Sequence, residues 1–534
     1  MSEQPQANVQ NALVDSQRQQ SIGEYVSTYI QRLSSGDLGS LPIIIGIVVI
    51  AIIFQFQNSN FLTPRNFVNL ILQMAGITMM AYGVVFVLLL GEIDLSIGYV
   101  SAIGGVAVAL LLRDPDGILP PVLHITVFPL MIAAIWAVIR IIQKRRSLSA
   151  DLDWLVVAFV FVTGATLVPL LLYWRAETQK TKKSVLFGFE LAVVLVIGVL
   201  ITIALFNMGF FPVIATWYTV IPIALLATAA IGLLQGAIIT YFQVPSFIVT
   251  LSGLLAWNGV VLRMIGGNGT VIIQDDVVKG IAGEFLPAFM NGDTPIQSAP
   301  ISLFGFNMGQ LTLSWGLVTL LAFVAGFAII QVFAYVTRKA QNLNTRPLPI
   351  LALQIVGLSL VAFVVAHIAD QDRGVPVVGL ILLVFLVILT FITNNTQFGR
   401  FVFAVGGNPE AARRAGINVT RIRIYVFMLS SALAGMGGII LASRLRSVAT
   451  NAGGGNILLN AIAAAVIGGT SLFGGRGRIS SAVLGALVIA SVDNGMGLLN
   501  LSSGDKFIIT GIVLLVAVVV DSLSLRRQQQ SGIA

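Results

Sequence analysis

Long apolar runs, most near the length of a membrane crossing, recur along almost the whole chain, broken by short polar links. Candidate spans lie near 41–57, 67–90, 94–112, 122–142, 153–174, 185–207, 217–241, 245–265, 314–337, 349–369, 375–393, 423–442, 457–470, 478–499 and 507–525. A helix of about 20 apolar residues crosses a bilayer, and lipid forces such a segment to satisfy its own backbone hydrogen bonds. Ile43 to Phe54 and Ile381 to Ile392 do not alternate polar and apolar positions, so barrel strands are excluded for them. Aromatic residues stand near the ends of several runs: Trp154 and Trp174, Trp217 and Tyr241, Trp315 and Tyr335. Rings at helix ends suit the membrane–water interface. The pattern predicts an all-α polytopic transmembrane bundle.

Composition agrees. The chain is 57% hydrophobic and 10% charged, where soluble domains carry about 25% charged residues. Its mean hydropathy is +0.95. The formal charge of +8 sits mostly in the links, which fits basic cytoplasmic loops and not nucleic-acid binding. Arg338, Lys339 and Arg346, then Arg400, Arg413, Arg414, Arg421 and Arg423, then Arg526 and Arg527, mark one face as cytoplasmic. The long loop 266–313 and the loop from His367 to Pro376 then lie on the other face. The candidate spans are odd in number, so from a cytoplasmic N-terminus one of them is not a full crossing; the basic runs Lys144–Arg146 and Arg175–Lys183 place that doubt in 113–211. Residues 1–40 are polar, lack a signal-peptide pattern and read as a cytoplasmic tail; residues 528–534 form a second tail.

Several polar positions break the apolar pattern. Glu92 and Asp94 sit between two apolar runs, in Gly91-Glu-Ile-Asp-Leu-Ser-Ile-Gly98. A carboxylate at membrane depth is costly unless paired or wet, so it reads as part of a solute path or gate. The plainer reading makes Asp94 the cap of a helix starting at Leu95. Gly468-Gly-Thr-Ser-Leu-Phe-Gly-Gly475 shares the Gly-x-x-[Asp/Ser]-Leu-x-x-Gly pattern, as counterparts in two halves of a transporter do. In Val244-Pro-Ser-Phe-Ile-Val-Thr-Leu-Ser252 the hydroxyls either line a path or tie helices together. Asp493 and Asn494 must face protein or water, and a path role follows. Trp257 and Asn258 form an aromatic–polar pair able to stack on and hydrogen-bond a sugar, or to pack between helices. His124 and His367 have no carboxylate or second histidine at ligand spacing.

The sequence has no cysteine, hence no disulfide or thiolate chemistry. It holds no Gly-x-x-x-x-Gly-Lys-[Ser/Thr] loop and no His-Glu-x-x-His or Gly-x-Ser-x-Gly site. Gly474-Gly-Arg-Gly-Arg478 lacks the lysine of a phosphate cradle and reads as a membrane-edge turn. Any ATP hydrolysis must come from a partner.

Residues 399–423 form a polar, basic island. Asn408 is a cap, Pro409 a first helical position and Glu410 a first-turn acid; the helix runs through Ala411, Ala412, Arg413, Arg414 and Ala415, and Gly416 ends it before Ile417. It suits either a cleft in a soluble partner or the lipid surface.

Four stretches carry a family resemblance: Gly91–Gly98, Val244–Ser252, Gly406–Val419, and Ala463–Gly475 continuing to Asp493-Asn-Gly-Met496; Arg373-Gly-Val-Pro376 adds to it. The chain resembles the permease subunits of bacterial ABC sugar importers of the ribose/xylose class, and looks most like the D-xylose type. The match covers residues 41–112 and 212–527. The resemblance implies that 408–417 is a coupling helix seated in an ATPase subunit that binds ATP and Mg, leaving this chain without a cofactor of its own. It further implies two permease copies around one path, an external sugar-binding protein, and an inner-membrane location. Ser96, Trp257, Asn258, Asp493 and Asn494 join Glu92 and Asp94 as candidates for the path or gate. Residues 113–211 form a hydrophobic insert that the xylose-type pattern lacks. Rival readings are an ion-coupled secondary transporter using Glu92 or Asp94, an amino-acid importer permease, and a membrane enzyme, the last without a recognisable catalytic set.

Overall fold

The computed structural model describes residues 41–113, 217–266, 269–288, 314–341 and 347–513, the backbone of short strands between 290 and 312, and a few isolated positions. The chain divides into two compact units, Met1–Leu110 with Ala224–Ala534, and Leu111–Ile223. Most of the second unit lies outside the described residues, as do the expected spans 122–142, 153–174 and 185–207, nearly all of the 1–40 tail, and the 528–534 tail. The expected span 507–525 is described as helix only through 513, apart from isolated residues.

Eight helices among the described residues are long and apolar enough to cross a membrane. In chain order the helices are α1 Leu41–Gln57, α2 Pro64–Leu89, α3 Ile97–Leu111, α4 Trp217–Tyr241, α5 Ser246–Ile265 and α6 Asp276–Gly283. They continue with α7 Trp315–Ala340, α8 Leu348–Asp370, α9 Val377–Asn395, α10 Gln397–Gly407, α11 Pro409–Arg414, α12 Val419–Leu445, α13 Asn456–Ile467 and α14 Ile479–Leu498. The eight are α2, α4, α5, α7, α8, α9, α12 and α14; α1, α3 and α13 are shorter apolar helices.

Local chemistry sets many of these ends. Thr63 caps α2, taking a hydrogen bond from Asn66 N, and Pro64 occupies a first-turn site where no donor is lost. Ser314, Thr396 and Asn418 cap α7, α10 and α12 in the same way.

α12 is the axis of the first unit. It packs antiparallel on α2, where Gly76 meets Gly437 and Gly83 meets Ser430. A β-carbon at Gly438 would collide with the Ser101 carbonyl of α3, and one at Gly232 of α4 with the Phe427 carbonyl. Such small-residue contacts let helix backbones approach where lipid gives no hydrophobic reward for association. Gly104 on α3 and Thr228 on α4 both lie against Gly435, while Ser96 at the start of α3 meets Gln235 near the end of α4. α3 and α4 therefore run antiparallel, so residues 110 and 224 lie at one end of the unit.

Segment 266–313, expected as a loop, is more ordered than that. β1 Thr270–Ile272 pairs antiparallel with a strand after α12, Ser447–Ala449. Between them in sequence, β2 Met290–Asn291 pairs with β3 Thr294–Pro295, and β4 Gln297–Leu303 with β5 Phe306–Thr312; the Ser447–Ala449 strand is β6. The hairpins satisfy backbone groups locally. α6 is fastened to α12 by Ser443 Oγ, which accepts from Ala282 N at 2.9 Å.

Candidate functional site

Asn408 has extended backbone, and its Oδ1 accepts from Ala411 N at 3.0 Å, as a cap does. Pro409 takes the first helical position and Glu410 the first turn of α11. The far end closes with Gly416 at φ +83°. There Gly416 N donates to Arg413 O and Ile417 N to Ala412 O, both at 3.0 Å. That pairing is the Schellman motif, which needs a left-handed residue where glycine carries no steric penalty. Ala412 alone in the helix is buried; Glu410, Ala411, Arg413, Arg414 and Gly416 are exposed. Glu410 and Arg413 approach at 3.5 Å on the open face. α11 thus presents a short charged surface, anchored by one alanine.

The island is seated on a joint made almost entirely of backbone. Gly475 N donates to Leu89 O at 2.9 Å. A β-carbon at Gly406 would collide with the same Leu89 carbonyl, and one at Gly474 would come within 2.8 Å of Gly406 O and 2.9 Å of Gly91 N. Gly91, Gly474 and Gly475 all have positive φ. The two matching glycine motifs, Gly91–Gly98 and Gly468–Gly475, therefore meet beneath the start of the island. Beside them Arg423 Nη2, one turn into α12, lies 3.0 Å from Glu92 Oε1. The Glu92 side chain is 12% exposed and that of Arg423 30%. Glu92 is thus half of an ion pair with the island.

Two residues on, the chain enters a buried polar knot. Asp94 Oδ1 accepts from Ser96 N at 2.9 Å and Ser96 Oγ at 2.7 Å. The expected helix start at Leu95 is corrected here: α3 begins at Ile97, and Val100 N donates to Ser96 O. Asp94 closes an Asx turn ahead of the helix, a local bond that competes with capping further along. Ser96 Oγ also lies 3.0 Å from Gln235 Oε1 of α4. Gly253 of α5 faces the group; a β-carbon there would sit 3.2 Å from Trp257 Nε1 and would collide with Gln235 Nε2. Asp94 Oδ2, Gln235 Nε2 and Trp257 Nε1 are buried without a hydrogen-bond partner. Ser96 has one hydroxyl hydrogen, and the Asp94 carboxylate takes it at the shorter distance. Turning the Gln235 amide would let Nε2 donate to Ser96 Oγ and aim its oxygen toward α5. With the amide so turned, the knot holds the Trp257 Nε1 donor and the Asp94 Oδ2 and Gln235 oxygen acceptors, groups of the kind a hydroxyl-rich solute engages. α5 is tied to it by Ile93 N donating to Ser246 Oγ at 3.3 Å and by Thr250 Oγ1 donating to Ile93 O at 3.2 Å. In Val244–Ser252, Ser246 and Thr250 thus act as ties between segments.

The structure brings Glu92, Asp94, Ser96 and Trp257 to one place, with Asn258 partly exposed next to Trp257. It puts Asp493 and Asn494 elsewhere. Asn494 exchanges two hydrogen bonds with Asn66, at 2.8 and 3.0 Å, and reaches Gln73 at 3.3 Å. Asp493 Oδ2 accepts from Asn460 at 3.3 Å. Asn66 lies in the first turn of α2 and the knot follows its last turn, roughly 35 Å away along the axis. Gln235, 3% exposed, is the member that the motifs missed; a lone glutamine in an apolar span was its only signal. His367 is buried in the last turn of α8 and stacks on Phe363.

The described residues form a polytopic helical bundle with a short, exposed, charged helix and a buried polar cluster around Asp94. Residues 183–518 match the family model described as "Branched-chain amino acid transport system / permease component", and the chain belongs to that family. It is a multi-pass inner-membrane protein. The xylose transport system permease protein XylH of Escherichia coli K12 is 36% identical over 315 residues, 58% of this chain and 72% of that protein. Its Haemophilus influenzae counterpart is 33% identical over 322 residues, 59% of this chain and 78% of that protein. The ribose import permease protein RbsC of Bacillus subtilis is 44% identical over 148 residues, 28% of this chain and 46% of that protein. No solved structure matches the chain.

Proposed function

We propose that this chain is the membrane-spanning subunit of an ATP-binding-cassette importer for a neutral monosaccharide, xylose or a similar sugar. The observation that carries the proposal is α11: a capped, exposed, charged helix that follows Gly406 and Gly407, the residues packed on the glycine joint between the two motifs. In this reading residues Asn408 to Ile417 sit in the groove of a separate ATPase subunit, which binds ATP and Mg. An external sugar-binding protein delivers the solute, and a second copy of this chain completes the path. Closure of the ATPases pulls α11, and α12 carries the pull as a rigid rod into its contacts with α2, α3 and α4.

Asp94, Ser96 and Trp257 with Gln235, and Asn258 beside them, form the gate that meets sugar hydroxyls. Asn494 holds the opposite end of α2, and Asp493 pairs with Asn460 of α13. The listening post for an ion in the rival ion-coupled reading would be Glu92 or Asp94, but Glu92 already has Arg423 as its counter-charge. Xylose and ribose permeases among the relatives favour a sugar over an amino acid.

The test replaces Gly416 by Glu or Glu410 by Lys. Both variants should stay in the membrane, lose ATP-driven uptake and fail to copurify with the ATPase. Uptake and ATPase stimulation at wild-type levels in both would remove the docking role.

A further inference from the structure

We propose that Glu92 and Arg423 form an exchangeable latch that passes movement of α11 to the buried knot. The inference rests on the permease reading above.

The island touches one short segment, Leu89–Ser96, at two places. Upstream of α11, Gly406 lies against Leu89 O through backbone atoms alone. Downstream, Arg423 reaches Glu92 through a salt bridge. The same segment holds α5 through Ile93 and contacts α4 through Ser96. Each handle on α11 thus ends within a few residues of the knot. Coupling between distant sites needs contiguous contacts and an element with two arrangements.

The two handles differ in kind. A glycine packed on a carbonyl has no side-chain freedom, so Gly406 fixes position. The arginine can rearrange. Its Nη2 meets Glu92 while its Nε is buried without a partner. Guanidinium–carboxylate pairs favour two parallel bonds. A small rotation that brings Nε onto the second carboxylate oxygen is therefore a second arrangement, stronger than the present one. Arg423, partly open to solvent, has room to make it. Alternation between one bond and two, driven by α11, would shift Glu92 and with it the turn that carries Asp94 and Ser96.

The experiment uses the whole transporter in liposomes: this chain, its ATPase and its binding protein, with D-xylose and D-ribose as probes. Sugar imported and ATP hydrolysed are measured together, and copurified ATPase reports assembly. Arg423→Gln and Glu92→Gln should each lower sugar moved per ATP about tenfold with the ATPase still bound, the coupling expected of a close charge pair. The swapped double variant, Glu92→Arg with Arg423→Glu, should recover most of the ratio. Arg423→Lys, which keeps charge but lacks the fork, should fall between. A wild-type ratio in both single variants overturns the latch. A parallel loss of uptake and hydrolysis that the swap does not reverse also overturns it, because a brace that only holds the fold gives that result. Should either single variant fail to reach the membrane, Arg423→Lys and the swapped pair decide. If the wild-type complex moves neither sugar with ATP, the sugar-importer reading fails instead.

Discussion

α2 and α7 are both 26-residue apolar helices, yet 83% of an 18-residue apolar stretch is buried within the protein in α2 and 11% in α7. α12 and α14 side with α2, at 61% and 67%; α8 sides with α7 at 11%. Hydropathy runs opposite to burial here, since the peripheral helices are the more apolar, at 2.4 and 2.5 against 1.5 to 2.0. Lipid asks only for an apolar surface. Protein neighbours ask for close approach and satisfied polar groups, which glycine, serine and amides supply. The residues we propose for the gate therefore lie where the spans are least uniform.

The sharpest way to break this contrast is one glycine in each class. Gly438→Leu drives a side chain into the Ser101 carbonyl and should cost about 3 kcal/mol or more by overpacking. Loss of folded protein from the membrane is the expected result. Gly326 on α7 has nothing within 4 Å of an added β-carbon, so Gly326→Leu should leave yield and melting temperature unchanged. Equal effects at both sites would end the distinction.

Gln235→Leu comes next. It removes the centre of the knot and the amide that meets Ser96 Oγ, at a cost of about 1–3 kcal/mol. Thermal melting in detergent should fall, and ATP-driven uptake should fall further than stability alone explains. Smaller again is the Asn66–Asn494 pair, where a double-mutant cycle with leucine should return a coupling energy near 1 kcal/mol, as membrane hydrogen bonds do. At the bottom, Arg413→Ala breaks only an exposed ion pair and should change stability by less than about 0.5 kcal/mol, although α11 is where we place the partner.

What the sequence revealed follows the same division. The expected span 217–241 coincides with α4 at both ends, because a lipid-length apolar run between aromatic residues is a local property. The Asn408–Pro409 start and Gly416 stop of α11 were equally legible, since caps and left-handed closures depend on neighbours in the chain. Glu92, with Asp94, reads from the sequence as part of a path or gate; its ion pair is not legible there because Arg423 comes from a distant helix. Asn494 read as a path residue for the same reason, its reciprocal amide lying on α2. Asp94 reads as a cap because an apolar run follows it, whereas its oxygen is taken by the local turn to Ser96 and the helix begins at Ile97. The meeting of the two glycine motifs was hinted at by their shared pattern, but only packing brings Gly406 between them.

The central claim is that a separate ATPase drives this conduit through α11. The most direct measurement is sugar uptake into liposomes holding this chain with its binding protein, with and without the ATPase subunit and ATP. Accumulation should require both and disappear when either is left out. Full-rate uptake by the chain alone, powered by an ion gradient, would contradict the account.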